Sequence, residues 1–266
     1  MPRLKSSKRK ELESIGIQRA RETRGALGLG KGPISDIFSI IEQHKILLLR
    51  HKASDPRLHA FFAEIKGHPV IFINSDEPLG RQYFSAAHEF CHFLYDRNSL
   101  KGIYCDPGNS KNNDDEIEII ADAFAGEFLM PIEGLEDSFR KFFGHPTIIT
   151  EKHIIKMQQF FKVSYAAMAY SLFKAGILKN GSIYGKLKKL GNIENTEELK
   201  FQTKRLGYTS ELNEPTSPYF PHIFLEAVTS NFENGIITYG KLESLLELWG
   251  KTPSDYGLEP HDYYDD

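Results

Sequence analysis

The five residues His88-Glu89-Phe90-Cys91-His92 constrain this chain more than any other stretch. They lie inside Gln82 to Tyr95, whose apolar spacing predicts a helix. A step of 100° per residue puts His88 and His92 about 40° apart on the helical wheel, so both imidazoles can reach one metal ion. Glu89 falls about 60° beyond His92, beside such an ion rather than on it, where a carboxylate can take a proton from water. Phe84, Cys91 and Tyr95 flank the histidines on the side expected to be buried. Imidazole nitrogens turned toward a core need a partner there.

Two side chains do not complete a zinc site, because open zinc sites carry three protein ligands and closed ones four. The segment Ile117 to Met130 supplies the candidate third. Glu118 and Asp122 are four residues apart on one helical face, while Ile119, Ala121, Phe124, Ala125 and Phe128 give apolar surface to pack with. Glu118 is expected to ligate the ion and Asp122 to accept the outer N–H of a ligand histidine, which fixes its tautomer. Two carboxylates thus take two different tasks.

Around these helices the organisation is legible in outline. An N-terminal helix is expected to end near Gly25 to Gly32, and Pro33 and Ile34 open a short second helix. Lys45 to Arg50, Leu58 to Ile65 and Pro69 to Asn74 read as strands of a small antiparallel sheet, with Lys66-Gly67 as a hairpin turn. Asp96 to Asp115, rich in Asn, Ser, Gly and Asp, reads as a long loop, and Asp114, Asp115 and Glu116 suit the positive end of the next helix. Thr150 to Phe161 and Ser164 to Lys174 resemble a helix-turn-helix pair. Beyond them glycines suggest turns, Pro215, Pro218 and Pro221 a linker, and Ile223 to Asn231 and Tyr239 to Trp249 a final helical pair.

Arg81 to His92, followed by Glu118-Ile119-Ile120-Ala121-Asp122-Ala123-Phe124-Ala125-Gly126-Glu127-Phe128-Leu129-Met130-Pro131, resembles the ImmA/IrrE family of metallopeptidases. The ending Phe-Ala-x-x-Phe-Leu-Met-Pro is the more telling part. The family usually has glycine where Cys91 stands here. The resemblance covers residues 80 to 131 firmly and extends loosely back to Pro33-Ile34-Ser35-Asp36-Ile37-Phe38. It implies an α+β fold with a zincin-like peptidase core, assigned to 1–145; the helical patterns read above and the charge of the C-terminal end assign a helix-turn-helix-like region to 146–210 and a C-terminal helical segment with an acidic tail to 211–266. The resemblance implies His88, His92 and Glu118 as ligands of Zn2+, with Mn2+ as an alternative, and Glu89 as general base. Its members typically cleave a helix-turn-helix transcriptional repressor, so a protein substrate of that kind is the expected partner.

Composition narrows the remaining classes. The formal charge of -3 over 266 residues is too balanced for a chain that coats nucleic acid or an anionic membrane. Its distribution is uneven, since eight bases face three acids up to Arg24, whereas two lysines face eleven acids from Leu206 onward. The longest aliphatic run, Ile46 to Leu49, cannot span a bilayer, and two cysteines argue against a disulfide scaffold, so a cytoplasmic protein is expected. The rival class is a DNA-binding or protein-binding regulator using residues 150–174, with a non-catalytic metal site. Its second helix has no Arg, Lys, Asn or Gln before Lys174, leaving few donors for base readout. A carbonyl-polarising donor is open among Tyr83, His145, His153 and Tyr165, and the substrate is expected along a sheet edge near Pro69 to Asn74.

Overall fold

The structure is a computed structural model that describes residues 6–97, 103–106 and 116–260. Expectations for Arg3, Lys5, Asn98, Asp114, Asp115, Asp262, Asp265 and Asp266 lie outside the described residues.

Helix α1, Ser6–Ala26, is followed by α2, Ile37–Gln43, whose N-cap Asp36 accepts from the Phe38 N–H. Strands β1 (Leu47–His51), β2 (Ala60–Ile65) and β3 (His68–Asn74) come next. Lys66 and Gly67, at φ 50° and 82°, join β2 to β3 in the two-residue hairpin the sequence indicates, with both residues in the left-handed region that such turns require. A fourth strand, β4 (Ile103–Asp106), pairs with β2 inside the stretch whose composition suggested only loop.

The sheet order is β1-β3-β2-β4. Its β2–β3 ladder is antiparallel, as expected, and the unanticipated β4 also joins β2 antiparallel, but β1 runs parallel to β3. Aliphatic runs report burial and carry no strand direction, so this ladder could not be read from them. The order also places β3 in the interior, hydrogen-bonded on both sides, which corrects the expected edge near Pro69 to Asn74. The free side of β1 is covered at one point by the proline-marked linker. Arg50 N–H donates to Tyr219 O at 2.8 Å, and Tyr219 N–H donates back to Arg50 O at 2.7 Å.

Helix α3, Leu79–Cys91, lies under the sheet and passes into a π-helical turn, His92–Asp96. Helix α4, Glu116–Leu129, starts with Glu116 and Glu118 in its first turn, where carboxylates suit the helix dipole, and stops before Pro131. Phe124 and Phe128 stack at 5.1 Å, and Phe128 meets Phe90 of α3 at 6.0 Å. These three rings are fully buried. Each contributes about 1.5–3 kcal/mol by leaving water.

The rest is helical: α5 (Ile132–Phe143), α6 (Glu151–Phe161), α7 (Tyr165–Lys174), α8 (Gly181–Leu187), α9 (Thr196–Arg205), α10 (His222–Glu233) and α11 (Tyr239–Glu247). Helices α8 and α9 occupy the region whose glycines suggested turns, and an Asn180 cap starts the first of them. One core runs from Ala20 to Leu199, so side chains on both sides of residue 145 share it, whereas Val228, Phe232, Leu242 and Leu246 pack separately between α10 and α11. No helix among the described residues is long and apolar enough to cross a membrane.

The basic N-terminal helix packs along α4. Gly16 permits the approach, since a Cβ there would lie 2.3 Å from Ile120 O and 2.8 Å from Ala123 Cβ. Arg24 is buried and donates to the carbonyls of Gly30, Gly32 and Phe128, tying the glycine-rich loop to the end of α4. Gly16→Val is therefore expected to force the two helices apart and destabilise the fold by about 1–3 kcal/mol or more, as overpacking does. Urea unfolding of the variant beside the parent checks this.

Candidate metal centre

Helix α3 presents His88 and His92, and α4 presents Glu118, to one point. His88 Nε2 and His92 Nε2 are 3.1 Å apart, His88 Nε2 is 3.1 Å from Glu118 Oε2, and His92 Nε2 is 3.4 Å from Glu118 Oε1. Metal bonds of about 2.0–2.1 Å at tetrahedral angles require ligand atoms roughly 3.3–3.4 Å apart. The three residues already stand within about 0.3 Å of that spacing.

The far side of each ring explains how it is held. Nδ1 of His88 lies 3.1 Å from Asp122 Oδ1, and Nδ1 of His92 lies 2.9 Å from Asp96 Oδ2. A carboxylate partner assigns the N–H to Nδ1 and leaves the lone pair on Nε2. Two lone pairs and a carboxylate are thereby aimed at one another, an arrangement that a cation between them relieves. The residues present fit a divalent metal.

Asp122 stands where its spacing from Glu118 placed it, but Asp96 was not identified from the sequence. The available signal was its position four residues after His92. It was masked because Asp96 heads a polar run that reads as loop, whereas the helix continues through it as a π turn. Such turns recur at functional sites.

Glu89 is 2% exposed and acts electrostatically on both imidazoles, so it lies beside the converging atoms. Burial pushes the His88 imidazole down, but the hydrogen-bonded carboxylates of Asp122 and Glu118 and the nearby Glu89 hold it well above its ordinary value. His92 is likewise raised, burial being outweighed by Asp96 and Glu118. In the absence of a metal, the cluster thus attracts a proton in its place.

Cys91 is fully buried in the core, and burial raises its thiol pKa, which makes it a packing residue with little thiolate character. The four open donors have other surroundings or no contact with the centre. Tyr165 donates to Leu187 O at 3.1 Å, His153 Nδ1 accepts from Thr150 N–H, and Tyr83 stacks on Phe38 at 4.9 Å. His145 is not among the residues that converge.

Beside the centre lies a cavity of about 930 Å³. Asp122 and Phe84 line it on one side, and Ala166, Tyr170 and Lys174 of α7 line it on another. Lys174 Nζ also reaches Glu13 of α1 at 3.0 Å. The exposed face of α7, carrying Ala166, Tyr170 and Lys174, therefore borders this cavity and reaches α1.

Residues 41–173 match the Peptidase_M78 family model, described as an IrrE N-terminal-like domain. The match contains the whole of α3 and α4 and stops inside α7. No curated protein matches the chain.

Metal binding is directly measurable. The parent is expected to take up about one equivalent of zinc and Glu118→Ala much less, by elemental analysis after gel filtration. Chelation should lower the melting temperature, since a ligand at about 100 times its Kd stabilises the native state by roughly 2.7 kcal/mol. Because protons compete for raised imidazoles, uptake should strengthen as pH rises through and above the usual histidine range and fall on acidification. Uptake equal in parent and Glu118→Ala at every pH would contradict this assignment.

Proposed function

The chain belongs to the Peptidase_M78 (IrrE N-terminal-like) family, and on that premise we propose that it is a zinc-dependent endopeptidase acting on a regulatory protein. The convergence of His88, His92 and Glu118 at ligand spacing, with Glu89 buried next to them, carries this reading. His88, His92 and Glu118 would hold the ion, with Mn2+ as the alternative to Zn2+. Bound there, the cation supplies a Lewis acid that polarises the scissile carbonyl and acidifies a water molecule.

The remaining steps belong to the protein. Asp122 keeps His88 in the tautomer whose Nε2 carries the lone pair, and Asp96 does so for His92. Glu89, in the role of general base, accepts the proton of the attacking water and returns it to the departing amide nitrogen. This sequence leaves no covalent link between enzyme and substrate. Structural zinc sites are closed by four ligands and have no use for an adjacent unliganded carboxylate, which favours the catalytic reading over a metal-stabilised interaction module.

Among the described residues β4 pairs on one side only, through β2, and an extended substrate would add to its outer edge. The finer substrate assignment, a helix-turn-helix transcriptional repressor, follows from the family resemblance. The orientation of α7 toward the cavity supports a role in shaping or receiving that partner over a role in reading DNA.

Glu89→Gln isolates the general base. The variant is expected to keep its zinc and to lose about 10²–10⁴-fold in cleavage rate. The readout is fragment formation on gels with repressors encoded beside this gene as substrates. Cleavage at the parent rate by metal-loaded Glu89→Gln would remove the general-base role. If the parent cuts other unfolded proteins but no repressor, the substrate assignment falls and the peptidase stands.

A further inference from the structure

The two ligand histidines are anchored differently, and the difference points beyond the matched segment. Asp122, which holds His88, has a side chain 63% exposed, so water solvates its charge. Asp96, which holds His92, has a side chain only 10% exposed, and His92 has none. A carboxylate shut away from water is unfavourable unless a positive charge or further hydrogen bonds compensate it.

Helix α1 supplies that charge. Arg19 Nη1 lies 3.7 Å from Asp96 Oδ1, while the other carboxylate oxygen faces His92. The guanidinium is fixed in turn, its carbon sitting 4.5 Å from the centroid of the Tyr95 ring. Tyr95 is tied back to the same helix, its hydroxyl donating to Arg19 O at 3.2 Å and lying 2.9 Å from Thr23 Oγ1. Tyr95 and Asp96 both belong to the π turn that begins at His92. One turn therefore carries a ligand, its anchor and the ring that locks the anchor's counter-charge.

We infer that Asp96 and Arg19 are positioning residues for the metal centre, acting in series through His92, so that α1 is a working part of the site although it precedes the family-matched residues 41–173. The inference rests on the proposed reading insofar as it takes His92 for a ligand. It does not need the protein to cut anything. Asp96 orients the His92 ring through its hydrogen bond to Nδ1, and the Arg19 guanidinium beside the other carboxylate oxygen holds Asp96 aimed at that ring. Removing either should weaken the hold on the metal while the rest of the core remains packed.

Zinc affinity of the full chain, by competition with a chromophoric chelator, is the test. Asp96→Ala is expected to weaken zinc binding about 10- to 100-fold, the usual effect of losing a ligand's hydrogen-bonding partner. Arg19→Ala should weaken it by a smaller factor, about tenfold or less, and Arg19→Lys, which keeps the charge, should recover part of that loss. Arg21→Ala, on the same helix but paired with Glu127, serves as the control for general loosening of α1 and should bind zinc like the parent. Affinities for Asp96→Ala and Arg19→Ala within twofold of the parent would overturn the inference, as would an Arg21→Ala loss matching that of Arg19→Ala. If Asp96→Ala does not fold, the Arg19→Ala and Arg19→Lys pair decides alone. A parent that binds zinc tightly yet hydrolyses no peptide counts against the peptidase reading and leaves this inference standing.

Discussion

The close approach of α3 and α4 is the constraint on which the rest depends. The imidazoles come from one helix and the carboxylate from the other, so the three donors reach ligand spacing only while the two axes keep their separation and phase. Buried aromatic contacts set that separation, with Phe90 of α3 against Phe128 of α4 and Tyr95 of the π turn against Phe124. A close-packed interior transmits small displacements, and a metal site tolerates few of them. Helix α1 holds α4 from behind, with Gly16 allowing backbone contact where any side chain would intrude.

Electrostatics impose a second condition on the same place. Four carboxylates (Glu89, Glu118, Asp122 and Asp96) surround two largely buried imidazoles. Three of these charges have distinct compensations, which makes the arrangement tolerable. Asp122 reaches solvent, Asp96 has Arg19, and Glu118 faces the imidazole nitrogens where a cation is expected. A site of this kind is better suited to binding and chemistry than to stability, since a polar cluster that loses one partner costs more than an apolar core of the same shape.

The uneven charge of the chain acquires a local meaning. Counted along the sequence, the bases of the first helix show only an excess of positive charge and name no partner. In the fold Lys8 pairs with Glu116, Arg21 with Glu127 and Arg19 with Asp96, and Arg24 is buried among carbonyls. The helix is basic because its neighbours, above all α4, are acidic.

Legibility differed by element, and the reasons are physical. The His88–His92 pair, Glu118 and Asp122 were readable because helical periodicity is local, so spacing alone puts side chains on a common face. Ser164 and Thr150 marked helix starts for the same reason, and Lys66-Gly67 marked its turn through backbone stereochemistry. Asp96, the interior place of β3, the parallel ladder with β1 and strand β4 were not readable. Each depends on which distant segment becomes the neighbour, and no local pattern encodes that. The residue types therefore determined by themselves that this chain could gather a metal and a base on two helix faces. Only tertiary packing decided that the faces meet, that an arginine from the first helix lies behind one histidine, and that α7 turns its open side inward, because contacts between remote segments are settled by burial and charge pairing in three dimensions.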